Sequence, residues 1–99
     1  MMRKLEEMEQ AFKSVKDSAE KGAAGDKVAK ERAFEEIFAL NNVIGRLGRE
    51  NPKAMPKMKE LQGYVNVITV GLKHARAREV SEGLSAVDKS IKTLKRELA

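Results

Sequence analysis

Residues 58–75 read Met58-Lys59-Glu60-Leu61-Gln62-Gly63-Tyr64-Val65-Asn66-Val67-Ile68-Thr69-Val70-Gly71-Leu72-Lys73-His74-Ala75. This is the most apolar segment of the chain, and it holds the only tyrosine and the only histidine. Two structures compete for it. The β-branched run Val65–Val70 suits a strand. Against that, Met58, Leu61, Val65, Ile68, Leu72 and Ala75 recur at steps of 3 and 4, the period of a helix with one buried face. A lone strand would also have nothing to pair with. The segment therefore reads as a helix over 56–76, and the chain as all-α. Tyr64, Val67 and Val70 lie off the stripe, so this helix carries apolar surface beyond what one buried face uses.

Working outward, the same spacing appears on both sides. Leu5, Met8, Phe12, Val15 and Ala19 form one narrow stripe, which predicts a first helix over 2–21. Gly22-Ala23-Ala24-Gly25 suits a helix end and a short turn. Asp26 is a good N-cap for a second helix over 27–47. That helix has a broader stripe: Ala33, Phe34, Ile37, Phe38, Leu40, Ile44 and Leu47. With two of the three phenylalanines, it is expected to fill much of the core. Asn41 lies inside this stripe. It reads as a polar residue that fixes register or reaches a partner's backbone, with a ligand contact as the alternative.

Gly48 and Asn51-Pro52 mark an end and a turn, and Pro56 sets the start of the third helix. After Ala75 the stripe resumes at Val80 rather than at residue 79. It then runs through Leu84, Val87, Ile91, Leu94 and Leu98. That one-residue slip, with Gly83 nearby, predicts a turn around Ala77–Ser81 and a separate fourth helix over 80–98. Short connections make sequential helices antiparallel, so the expected architecture is an up-down-up-down four-helix bundle in a single domain, 1–99. The alternative is three helices, the last one long and continuous, in an extended dimer.

Composition narrows the function. Ninety-nine residues form a viable but marginal core, which oligomerisation would enlarge. There is no cysteine, hence no disulfide, thiolate metal site or cysteine nucleophile. The N-terminus turns charged at once, and no stretch approaches a membrane span. A cytoplasmic protein without membrane attachment is expected. The net charge of +5 sits wholly in the second half. Residues 1–50 carry ten basic and ten acidic side chains; residues 51–99 carry ten and five. Lys73, Arg76, Arg78, Lys89, Lys92, Lys95 and Arg96 are thus candidates for phosphate contacts with nucleic acid, without base readout. No aromatic platform accompanies them for stacking on single strands.

Enzyme chemistry finds little footing. One histidine cannot furnish the paired Glu-x-x-His motifs of a di-iron bundle. Haem ligation would set Met8 against His74, near opposite ends, and no phosphate-cradling glycine loop is present. His74, beside Lys73, Arg76 and Arg78, reads as a solvated residue at a basic helix end. Its sharper alternative is a phosphoryl-accepting histidine. Such domains place a lysine and a glycine soon after the histidine, where this chain has Ala77 and Arg78. Met1, Met2, Met8, Met55 and Met58 should gather at one end of the bundle as adaptable packing, or serve as a soft-metal site or a docking surface.

The expectation is therefore a non-enzymatic interaction module with no catalytic residue, cofactor or metal. It self-associates, as a homodimer, through Tyr64, Val67 and Val70, and has room for a protein partner. Weak sequence-independent nucleic-acid binding is the alternative, and phosphotransfer at His74 a distant third.

Overall fold

The computed structural model describes residues 2–98, with side chains described from residue 3 to residue 97. Helix α1 spans Met2–Ala23, α2 Lys27–Glu50, α3 Met55–Lys73 and α4 Ala77–Leu98, with a 3-10 turn at Pro52–Ala54. No strand occurs among the described residues. The helices form an antiparallel four-helix bundle. Each sequential pair packs together, α1 and α4 close the ring, and α1–α2 and α3–α4 are the tightest pairs. The body measures 38 × 19 × 19 Å. A 22-residue helix is about 33 Å long, so the helices run along the long axis.

The core follows from the 3-4 spacing. Each helix delivers a string of at least five buried positions. These are Leu5, Met8, Phe12, Val15 and Ala19 on α1, and Ala33, Ile37, Leu40, Ile44 and Leu47 on α2. Met58, Leu61, Val65, Ile68 and Leu72 follow on α3, and Val80, Leu84, Val87, Ile91 and Leu94 on α4. An average step of 3.5 residues keeps each string facing the bundle axis, the geometry of left-handed bundle packing. Leu98, expected in the core, lies outside the residues whose side chains are described.

Three expectations are corrected. Phe38 is not core: it is 70% exposed, and Phe34 is only half-buried. At 100° per residue Phe38 stands about 160° from Leu40, on the opposite side of the helix. Gly48 does not end α2, and Gly22 does not end α1; both are sites of close packing. A Cβ at Gly48 would lie 3.1 Å from the Met55 sulfur, and one at Gly22 would lie 2.8 Å from the Lys30 Cα. Helix α2 runs on to an Asn51 cap, whose backbone N–H and side-chain Nδ2 both donate to the Leu47 carbonyl.

The third correction is the turn between α3 and α4. It falls at His74–Arg76, not at 77–81, and rules out a continuous C-terminal helix. The Arg76 N–H donates to the Gly71 carbonyl at 2.8 Å and the Ala75 N–H to that of Leu72. Ala75 adopts φ 53°, the left-handed region. This is a Schellman-type end with alanine where glycine is usual. The α1–α2 turn closes the same way, with glycine in place: Gly25 has φ 112°, and the Asp26 N–H donates to the Lys21 carbonyl. Asp26 caps α2 as expected, its Oδ1 accepting from the Ala29 N–H at 3.0 Å.

Candidate functional site

In a chain with 35% charged residues, the two longest runs without any charge are Ile37–Gly45 on α2 and Leu61–Leu72 on α3. On α1, by contrast, every exposed position from Arg3 to Lys21 except Gln10 and Ser14 is charged. The packing of α2 on α3 sets how the two runs lie. Gly48 sits against Met55 and Met58, and a Cβ at Gly45 would lie 3.9 Å from the Gln62 Nε2. Carried along these antiparallel helices, that register puts residue 38 level with residues 68 and 69, and residue 45 level with 61 and 62. The uncharged run of α2 therefore lies alongside that of α3.

What these runs expose is partly apolar. Phe38 is 70% and Val67 39% exposed, while Phe34 and Val70 are half-buried. Phe38 is two turns before Gly45, so both occupy the α2 edge nearer α3. Gln62, Asn66 and Val70 follow one another by four residues on the α3 edge nearer α2. Gly63, Val67 and Val70, at steps of 4 and 3, form the outer ridge of α3. Nothing lies within 4 Å of a Cβ built at Gly63, so the ridge is open there. Asn41, on the flank of α2 toward α3, has a buried Oδ1 with no hydrogen-bond partner. A buried acceptor left unpaired costs about 1–3 kcal/mol.

No family model, curated protein or solved structure matches the chain.

The three candidates Tyr64, Val67 and Val70 follow one another at steps of three residues round the outer side of α3, Tyr64 nearest α4 and Val70 nearest α2. Val70 turns toward α2 and Val67 rides the ridge. Tyr64 lies in the shallow groove between α3 and α4, lined also by Glu82, Ser85 and Lys89. Its hydroxyl donates to Glu60 Oε1 at 2.7 Å. That hydrogen bond, followed by the carboxylate's charge and by burial, holds the phenol above its usual value of 10.0. Phe38, assigned to the core by its pattern, stands exposed on α2 instead. The signal that marks it is angular: it stands too far round from Leu40 to share that stripe.

The basic residues are divided and largely paired. Lys73, Arg76 and Arg78 lie at the α3–α4 turn end, where Arg76 holds Glu79 and Arg78 holds Glu82, each at 3.2 Å. Lys89, Lys92, Lys95 and Arg96 lie toward the other end of α4. There Lys92 holds Asp88 at 3.0 Å and Lys95 reaches across to Glu9 of α1 at 3.2 Å. Lys73, Lys89 and Arg96 have no carboxylate partner among the described residues. His74 is exposed and caps α3 from the turn, its backbone N–H donating to the Val70 carbonyl. Met8 and Met58 are buried in the core and Met55 packs on Gly48. Met1 and the Met2 side chain lie outside what the structure describes. Among the described residues no group of three or more His, Cys, Asp or Glu is placed to hold a metal ion, and no helix is long and apolar enough to cross a membrane.

Proposed function

We propose that this protein is a non-enzymatic helical interaction module that self-associates as a homodimer through the α2/α3 face. The observation that carries the reading is the alignment of two uncharged runs with Phe38 and Val67 exposed on them. Of the exposed large hydrophobics, Phe38 and Val67 lie on these runs, and Val28, 68% exposed, stands apart at the start of α2. This face keeps apolar and amide surface in water, where burial is favourable at about 25 cal/mol per Å². Its lack of charge matters for a second copy in particular. Two chains of net charge +5 repel each other, and an uncharged face is where that repulsion is least concentrated. Val70 belongs to the proposed interface and Val67 stands at its edge, two turns after Glu60 of the α3/α4 groove; Tyr64 borders it from the α4 side. A cytoplasmic setting suits a chain without cysteine.

Sedimentation equilibrium from low to high micromolar concentration tests the reading. The expected result is a monomer–dimer equilibrium for the native chain and a monomer for Val67→Glu, because a buried unpaired carboxylate opposes association. A strict monomer at high micromolar concentration, with Val67→Glu indistinguishable from it, overturns the reading.

Nucleic-acid binding is the lesser reading. Arg76, Arg78, Lys92 and Lys95 each hold a carboxylate that a phosphate would have to displace. Retardation of DNA or RNA at low salt, lost steeply toward physiological salt, would raise it. Phosphotransfer to His74 from a small phosphodonor remains the corresponding test for enzyme chemistry.

A further inference from the structure

The outer side of α2 carries a second periodic stripe. Glu31, Glu35, Phe38, Asn42, Gly45 and Arg49 follow at steps of 4, 3, 4, 3 and 4. All are exposed except Gly45, which is half-buried. The core already has its own string on this helix, so most of this stripe is left facing solvent. Its charges are segregated. Both acids are at the N-terminal end and the base is at the C-terminal end, about 27 Å from Glu31 at 1.5 Å per residue. Glu31, Glu35 and Arg49 have no ion-pair partner among the described residues.

We infer that a second copy of this chain docks with its α2 antiparallel to this one, about a two-fold axis level with residue 40, so that Glu31 of each copy meets Arg49 of the other. The inference rests on the self-association proposed above and deepens it by naming the geometry. An isologous dimer needs a self-complementary patch, and this stripe is one. In that register Glu31 faces Arg49 of the partner subunit, Glu35 faces Gly45 of the partner subunit, and Phe38 faces Asn42 of the partner subunit. These are the alternating pairings that antiparallel helices with a seven-residue repeat make. A parallel pairing would set acid against acid at one end and base against base at the other. Charge order therefore selects the antiparallel dimer.

The surrounding surface agrees. The level of residue 40 on α2 corresponds to residues 66 and 67 on α3, so the axis passes the middle of both uncharged runs. Phe38 leans toward α3 and directs the contact to that side. The basic pair Arg32 and Arg46 lies on the other flank, toward α1, where Arg46 is turned to Glu7 at 3.8 Å. The body is 38 Å long, enough to set the stripes of two copies, each about 27 Å long, fully side by side.

The test is a charge-reversal exchange with Glu31→Arg and Arg49→Glu, read by sedimentation equilibrium at about 0.15 M salt. Both sites are exposed, and circular dichroism confirms that each variant folds. Each variant alone turns two attractive contacts repulsive and should weaken the dimer about tenfold. Mixed one to one, the Glu31→Arg chain and the Arg49→Glu chain regain two opposite-charge contacts. The mixed dimer should return to within about threefold of the native constant. Single variants that dimerise like the native chain, or a mixture that fails to recover, overturn this geometry; self-association through the face then stands on the Val67→Glu result. A native chain that stays monomeric removes both.

Discussion

Replacing Phe38 by alanine separates surface from core more sharply than any other change. The ring is 70% exposed, which for a phenylalanine is about 140 Å² of the roughly 200 Å² it can bury. In the monomer only the remaining ~60 Å² is lost on truncation, about 1.5 kcal/mol at 25 cal/mol per Å², and the better helix propensity of alanine returns about 0.5 kcal/mol. The monomer should therefore lose about 1 kcal/mol, against the 2–5 kcal/mol typical of a truncated core residue such as Leu40. The dimer should suffer far more. If the partner covers half of the exposed ring area on each copy, the two rings together contribute about 3.5 kcal/mol, a few hundredfold in the dissociation constant. Urea unfolding at a concentration where the chain is monomeric measures the first quantity. Light scattering across a concentration series measures the second. A folding loss as large as that of a core truncation would show that Phe38 packs inside. An unchanged dissociation constant would show that association uses another face.

The turns and glycines yield further expectations. Ala75→Gly should stabilise the fold by about 1 kcal/mol, because an L-residue in the left-handed region costs about 1–2 kcal/mol that glycine avoids; the melting temperature should rise by about 4–8 °C. No rise would mean that Ala75 does not adopt φ 53° in solution. Gly83→Val should destabilise by about 1–3 kcal/mol, since a Cβ there already lies 2.7 Å from the Ile68 Cγ1 and 3.1 Å from its backbone nitrogen. Gly63→Ala, with open space around it, should instead stabilise the monomer by about 0.5–1 kcal/mol. Equal effects at the two positions in chemical denaturation would contradict the close approach of α3 to α4.

The fold was readable because each helix spells its buried face in a 3-4 string, and short connections leave one simple arrangement of four such helices. The details that went astray share one cause. Glycine and broad apolar stripes each have two meanings that only the neighbours separate. Gly48 and Gly83 look like stops but are places where helices approach closely. The actual left-handed residue at the last turn is an alanine, which carries no mark in the sequence. The Phe34–Phe38 pair widens the α2 stripe beyond half a turn, and periodicity alone leaves open which edge faces water. For the site, both uncharged runs are visible in the sequence, but their alignment exists only once the register of α2 on α3 is known. The cations of the second half are equally visible. Their carboxylates are not, because Glu9, which holds Lys95, lies 86 residues away along the chain.

The proposed dimer brings two copies of the chain together through their α2/α3 faces. Amide chemical shifts recorded across a dilution series from millimolar to low micromolar concentration test it most directly, because they report association residue by residue. Concentration-dependent shifts are expected only within residues 31–49 and 61–72, centred on Phe38. Shifts centred on Lys89–Arg96, or spectra that do not change with concentration, would contradict it.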